Sequence, residues 1–597
     1  MKNIIDRPHD LSCSNWYLLL SGLLLLALVL RILALLSLKE SIYFDFLLWD
    51  ERLYHDQALN ILNGAHGSRS LYAFLMALIY KLFSPDIFYI RILNSVLGVL
   101  TCYLIYLIGK GVGNRSTGLF ACAIAALYEP FIFYSIVPLK TSLSLFLFAS
   151  TVILFIDCLE NTSFTRALLL GMAAGLLFNV RPNFIVIISF LPLFLLYNGI
   201  KMKASFKKGV IAFMLYATGL SVAVVPFGIT KGEESGKSKQ ATSQSQWGLN
   251  LYIGNNIHNP DPYYLPAPFA VSSPREQAIQ FTIEASRRLD RKLSTAESSF
   301  YWTGEVVRMA VEDPGAFIRK ICLKTLVLFN RFEAGDHYHI EFMSDFISFF
   351  RLPFLSFWLI LPFGMAGMAV TLFGSRKLQS LFLILFLYGA TLILFFTTTR
   401  YRLPLLVLLI PFSVLGMAGL LNSINKRRFK NIRVYTGVAV AFLIIEFLPV
   451  QGTGDMTAYY NTHAIILYSR GLGDEAVKYW ERSSGMNGIY SAFANLALAG
   501  NSIQRRDIQK AFNYLEMIPD DSFAAAQKYD MIGDIRIYQG QPRMAISAYN
   551  KSLKINTGQR ATRRKLIKSL WKTDRQSALK EHDKLEYISS FYGSPPG

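Results

Sequence analysis

Eleven apolar runs follow one another along this chain, at residues 16–38, 88–109, 118–135, 141–158, 166–180, 183–199, 209–229, 352–373, 379–397, 403–422 and 433–449. A helix rising 1.5 Å per residue needs about 20 such residues to cross a hydrocarbon core of ~30 Å. In lipid the helix also satisfies its own backbone. The chain is therefore expected to be an all-α polytopic membrane protein with about eleven transmembrane helices. A hydrophobic content of 53% over 597 residues excludes an ordinary soluble domain. The run 70–83 is too short to span and reads as a helix lying at the interface.

A net charge of +20 would suit a nucleic-acid binder, but its distribution argues otherwise. Lys201, Lys203, Lys207 and Lys208 lie between the sixth and seventh runs, and Lys426, Arg427, Arg428, Lys430 and Arg433 between the tenth and eleventh. Lys110 with Arg115, and Arg376 with Lys377, mark two more loops. If the runs alternate, all four loops share one side, which is the positive-inside pattern. The expected topology is multi-pass in the plasma (inner) membrane with a cytoplasmic N-terminus. The Asp50 loop, residues 230–351 and everything after 449 would then lie outside. The first run looks like an uncleaved anchor. Cys13, Cys102, Cys122, Cys158 and Cys322 give no disulfide framework, since three lie in runs and two on opposite faces.

Four segments are expected: a membrane module 1–229 containing a first external loop (39–87), an external loop domain 230–351, further spans 352–449, and a helical domain 450–597. The last contains a repeat. Ala476, Ala511 and Ala545 recur at intervals of 35 and 34, each followed four residues later by Trp480, Leu515 or Tyr549. Twelve residues before each stands a small residue, Ala464, Ala499 or Gly533, where two helices must approach closely. This resembles the tetratricopeptide repeat, with a period of ~34 residues. Arg560–Lys572 is expected to be a solvating cap.

The chemistry-bearing residues cluster at the outer ends of the runs. Asp50 and Glu51 follow the first run by about a dozen residues. Lys140 precedes the fourth run, Arg181-Pro182-Asn183 separates the fifth from the sixth, and Arg400-Tyr401-Arg402 separates the ninth from the tenth. Four cations on the outer face run against the positive-inside bias and form a candidate site for an anion, with lipid phosphate the natural one at that depth. In 230–351, Gly248 to Asn256 reads as a strand-like alternation ending in a turn, whose Asn255 and Asn256 could pair with sugar hydroxyls. Asp336, His337, His339 and Glu341 crowd one short stretch, but His-x-His beside carboxylates is common on loops and no metal site is read from it. There is no Asp-x-Asp signature, no Gly-rich phosphate loop and no βαβ pattern, which disfavours soluble sugar-nucleotide chemistry.

The order of these features carries a resemblance: WDERLYHDQAL, LYAFLMALIYKLF, Arg91, LYEPFIFYSIVPLKTSL, RPN, GLNLYIGNN, YWTGE with DPGAFIRKICLKTLVLFNRFE, and RYRLPL. Together they resemble the GT-C membrane glycosyltransferases of family 39, which include protein O-mannosyltransferases and the lipid A aminoarabinose transferase, in particular bacterial members with C-terminal tetratricopeptide repeats. The resemblance implies inverting transfer from a polyprenyl-phosphate sugar to an acceptor glycan, lipid or protein at the external face. It implies that Asp50 is the general base with Glu51 beside it, and that Lys140, Arg400 and Arg402, joined by Arg181 from the outer-face set, contact the donor phosphate. Tyr54, Asn255, Asn256, Glu305 and Tyr401 are expected on the sugar or acceptor side. Two departures stand out: Arg69-Ser70-Leu71-Tyr72-Ala73 where relatives carry Asp-Pro-Leu-Tyr-Pro, and Thr141 where Glu usually follows the lysine. No cofactor is firmly implied; a divalent metal ion would be compatible. The repeats would bind a protein partner, and no nucleic-acid role is expected. The rival readings are an O-antigen-ligase-like transferase using external Arg and His, a lipid-linked-sugar transporter, which should show paired charges inside the spans, and a scaffold, for which one span would suffice.

Overall fold

The computed structural model describes residues 13–64, 70–160, 163–201, 206–229, 246–259, 261–271, 273–372, 374–450, 452 and 454–592. Arg69 and Lys203 lie outside these. Among the described residues the chain is helical throughout, with one isolated parallel bridge between Tyr128 and Leu355. The first stretch comprises α1 (Cys13–Lys39), α2 (Trp49–Leu62), α3 (Leu71–Leu82), α4 (Ile87–Val112), α5 (Arg115–Leu127), α6 (Glu129–Ile136), α7 (Thr141–Glu160), α8 (Phe164–Val180), α9 (Ile185–Lys201) and α10 (Phe206–Ile229). Next come α11 (Trp247–Asn255), α12 (Pro274–Arg288), α13 (Thr295–Glu312), α14 (Pro314–Phe329), α15 (Ile340–Ser344), α16 (Phe357–Thr371), α17 (Arg376–Leu394), α18 (Thr399–Asn425) and α19 (Phe429–Glu446). The C-terminal region is built of α20 (Thr457–Ser469), α21 (Gly473–Gly485), α22 (Ser491–Gln504), α23 (Ile508–Glu516), α24 (Ala525–Tyr538), α25 (Pro542–Ile555), α26 (Arg560–Leu570) and α27 (Arg575–Tyr592).

Six helices, α1, α4, α7, α10, α17 and α18, are long and apolar enough to cross a membrane, and α3, α5, α8, α9 and α16 are shorter apolar helices. The protein is thus multi-pass. The run read as one span at 118–135 is in fact two helices broken at Tyr128. Pro130 sits in the first turn of α6, where its missing N–H is tolerated, but it could not continue α5. The backbone groups freed by the break are satisfied by Leu355, whose N–H donates to Leu127 (3.1 Å) and whose carbonyl accepts from Glu129 (3.2 Å).

The chain divides into two compact units, Met1–Glu233 with Ile321–Gln451, and Glu234–Lys320 with Gly452–Gly597. The boundary between Lys320 and Ile321 falls inside the stretch 230–351, whose residues 234–320 group with the residues after 451 and whose residues 321–351 group with the first unit. Within the first unit, glycines set the helix approach. A Cβ on Gly367 would meet the Phe412 carbonyl at 2.1 Å, and one on Gly416 would meet the Phe363 carbonyl at 2.1 Å, so α16 and α18 cross backbone to backbone.

Within the second unit, the segment read as a strand at Gly248 to Asn256 is the helix α11. Gly248 serves close approach, since a Cβ there would lie 2.0 Å from the Ser299 carbonyl of α13. Leu249, Ile253, Phe281 and Trp302 then share one apolar core. The repeat reading holds in its packing. Ala464, Ala476, Ala499, Ala511 and Ala545 are fully buried, and a Cβ on Gly533 would enter the Tyr549 ring at 2.3 Å. Arg560–Lys572 is more than a solvating cap: α26 pairs with α27, and the buried Arg563 forms an ion pair with Glu581.

Candidate functional site

The site forms where α2, the loop after α6, the end of α8, the 330–339 segment and the start of α18 meet, all within the first unit. Asp50 and Glu51 open α2, whose N-terminal end favours a carboxylate. The turn leading in is tightly drawn. Leu48 N–H donates to Glu51 Oε2 at 3.0 Å, and Glu51 N–H donates to the Leu48 carbonyl at 2.7 Å. Trp49 takes φ 30, a strained value for a bulky side chain, of the kind tolerated where the surroundings fix the backbone.

The two acids point to different tasks. Glu51 is fully buried and also accepts from the Tyr338 hydroxyl at 2.8 Å. Burial pushes its carboxyl up, against the pull of Arg91 and its hydrogen bonds. Its oxygens are thus committed to holding the turn. Asp50 Oδ2 lies 3.1 Å from Arg400 Nη1 and 3.2 Å from His337 Nε2. Burial would raise its carboxyl, yet His337, Arg400 and Lys140 together outweigh that and hold it well below the usual range. Asp50 Oδ1 has no hydrogen-bond partner among the described residues.

Around this acid stand the expected cations. Arg400 also meets Asp336, with Nε 2.6 Å from Oδ2. Lys140 lies over the Tyr54 ring at 5.6 Å and has no ion pair among the described residues. Burial, reinforced by Arg181, lowers its ammonium to about 8. Arg181 is buried, donates through Nη2 to Thr141 Oγ1 at 3.0 Å, and leaves Nε and Nη1 without partners. The Tyr401 ring is flanked by Arg181 at 4.7 Å and Arg400 at 5.2 Å. Two guanidiniums are thereby held against one aromatic ring despite their like charge. Thr141, noted as a departure, is the side chain that fixes Arg181.

Other expected site residues are placed elsewhere. Arg402 is turned from Arg400: it sits 2.7 Å from Glu333, donates to the Asn330 carbonyl at 2.6 Å and covers Phe357 at 3.8 Å. Two positions along a helix rotate a side chain by about 200°, which accounts for the split. Asn255, Asn256 and Glu305 belong to the second unit. There Asn255 is buried and donates to its own helix at Leu251, and Glu305 pairs with Arg288 and Arg308.

Asp336 and His337 are the residues the sequence undervalued. Their signal was the crowding of polar side chains after α14, and folding carries them onto Asp50. Among the described residues no three His, Cys, Asp or Glu side chains gather as a metal site, and Arg400 already compensates both carboxylates.

Residues 70–228, which supply Lys140, Arg181 and Thr141, match the family model of the dolichyl-phosphate-mannose-protein mannosyltransferases. Residues 477–571 match a tetratricopeptide repeat-like domain. The chain carries a GT-C mannosyltransferase-family segment and a tetratricopeptide-like domain. No curated protein matches it significantly. Among solved structures it is similar to the Archaeoglobus fulgidus oligosaccharyltransferase in its apo form, at 12% identity and TM-score 0.38 over 73% of this chain and 57% of that one. It is also similar to the Archaeoglobus fulgidus oligosaccharyltransferase AglB in complex with an inhibitory peptide and a dolichol-phosphate, at 13% identity and TM-score 0.39 over 79% and 60%. The chain thus spans less than two thirds of the length of these relatives.

Proposed function

We propose that this protein is an inverting glycosyltransferase that moves a sugar from a polyprenyl-phosphate donor to an acceptor hydroxyl at the external face of the plasma membrane. The observation that carries the reading is the convergence of one carboxylate having an open oxygen, Asp50, with two cations having spare donors, Lys140 and Arg181. The family match over residues 70–228, named for a dolichyl-phosphate sugar, supports that donor class.

The step balances with these groups alone. Asp50 Oδ1 takes the acceptor's proton as the acceptor oxygen bonds the anomeric carbon. The bond from that carbon to the phosphate oxygen breaks, its electron pair stays on phosphate, and Lys140 and Arg181 meet the added negative charge. Arg400 contributes a third positive charge while fixing Asp50. Arg402, engaged with Glu333, and the residues of the second unit are left out of this step. The tetratricopeptide-like domain is proposed to bind a protein partner or acceptor.

The test is transfer from polyprenyl-phosphate sugars in membranes bearing wild type or Asp50→Asn at equal expression. Loss of transfer in the variant alone is the expected result. Equal transfer in both would rule out Asp50 as the base and move the ligase-like reading ahead.

A further inference from the structure

The acid that the mechanism uses is flanked by a histidine that the mechanism does not. His337 places Nε2 3.2 Å from Asp50 Oδ2 and Nδ1 3.7 Å from Asp336 Oδ1, so one imidazole bridges two carboxylates. We propose that His337 is a positioning residue for Asp50, and that its protonation state sets how strongly Asp50 draws the proton from the acceptor. The proposal rests on Asp50 being the base.

Geometry selects the resting form. A neutral imidazole has one bare nitrogen, which here would face a carboxylate whichever tautomer it took. The imidazolium instead sets positive charge against both acids, as an ionic contact at 3.2 Å to Asp50 and a looser one at 3.7 Å to Asp336. The charged groups around His337 are Asp50 and Glu51 from α2, Asp336 beside it, and Arg400 from α18. Burial and Arg400 lower its pKa, but Asp336 and Asp50 outweigh them, and the net shift is upward from 6.5.

The consequence is a base under restraint. While His337 is charged, Asp50 Oδ2 faces two cations, and the carboxylate is held far below the range useful to a base near neutral pH. Loss of the His337 proton removes one of them and strengthens Asp50. Neutral His337 also offers Nε2 as the next stop for the proton that Asp50 receives. Transfer should therefore rise with pH through the His337 ionisation. Lys140 gives a limb of opposite sign, since its charge is lost above about 8.

Two measurements on the full-length protein test this. Hydrogen–deuterium exchange at the imidazole Cε1, followed by mass spectrometry across pH, reads the His337 pKa without turnover. It is expected above 6.5 in wild type and lower in both Asp50→Asn and Asp336→Asn. A pKa indifferent to Asp50→Asn would overturn the proposal. The second measurement is the pH profile of polyprenyl phosphate released from polyprenyl-phosphate-mannose in native membranes. His337→Asn should flatten the rising limb, whereas Lys140→Arg should flatten only the falling one. Persistence of the rising limb in His337→Asn would refute the role. If His337→Asn is inactive at every pH, the exchange result decides. Transfer surviving in Asp50→Asn would instead sink the assignment of the base, a separate failure.

Discussion

Arg181 offers a test in which stability and activity are expected to move in opposite directions. Its guanidinium is buried with Nε and Nη1 unpaired, and each buried donor left unsatisfied costs about 1–3 kcal/mol. Against that stand one hydrogen bond to Thr141, about 0.5–1.5 kcal/mol, and the Tyr401 face, about 0.5–2 kcal/mol. Arg181→Met keeps much of the side-chain volume and removes both the penalty and the contacts, for a net gain of roughly 1–3 kcal/mol. Arg402→Met is the contrast. Arg402 leaves Nε without a partner too, but its Nη1 donates to the Asn330 carbonyl and its Nη2 faces Glu333, so its removal leaves the partly buried Glu333 with only the Tyr128 hydroxyl, a loss of about 3–5 kcal/mol for a broken buried pair. Thermal unfolding of both variants in one detergent, followed by intrinsic fluorescence, should show Arg181→Met unfolding at or above the wild-type temperature and Arg402→Met well below it. Transfer should fall at least a hundredfold in Arg181→Met, since the spare donors are what the phosphate would occupy. Equal destabilisation of the two variants would refute the reading of Arg181 as an arginine kept for a ligand, and so would wild-type transfer in Arg181→Met.

Other outcomes follow from the same geometry. Lys140 holds its proton less tightly in the folded state, at about 8 against 10.5, so the unfolded chain binds more protons between those values. Stability should rise with pH across that window while donor affinity falls, and Lys140→Arg should abolish both trends in thermal and binding titrations. Tyr338→Phe leaves one oxygen of the buried Glu51 without its partner, a cost of about 1–3 kcal/mol, and should lower kcat with little change in donor affinity. Gly416→Ala places a Cβ 2.1 Å from the Phe363 carbonyl and should lower the unfolding temperature, by roughly 1–3 kcal/mol of overpacking. Gly437→Ala, with nothing within 4 Å, should raise it slightly, since Ala is the better helix former.

The multi-pass character was legible because hydrophobic length alone defines it, although only six of the eleven apolar runs form helices long and apolar enough to cross a membrane, and so was the repeat, because period and small residues survive in one dimension. The break at Tyr128 was not, since its closing partner, Leu355, is far away in sequence. The helix α11 passed for a strand because nine residues of mixed apolar character do not separate the two periods, and Gly248 announced a close approach only once α13 was in place. For the candidate site, a cation on the expected outer face was an anomaly visible residue by residue, which singled out Lys140, Arg181 and Arg400, the ones that the fold gathers around Asp50. The same argument overcounted Arg402, because it ignored the turn of the helix between the two arginines. Asp336 and His337 carried no such anomaly, and their meaning arises from Asp50 and Arg400 converging on them from distant parts of the chain.

The doubled acid at the head of α2 is directional. Glu51 needs its extra methylene to curl back to the Leu48 amide while reaching the Tyr338 hydroxyl, and Asp50 needs its shortness to sit between His337 and Arg400 with one oxygen open. If the two acids exchanged places, composition and charge would be untouched. The shorter side chain would then fall a carbon short of the turn it must close, and the longer one would crowd the space proposed for the acceptor. At this position the order of the letters, not the presence of two carboxylates, carries the chemistry.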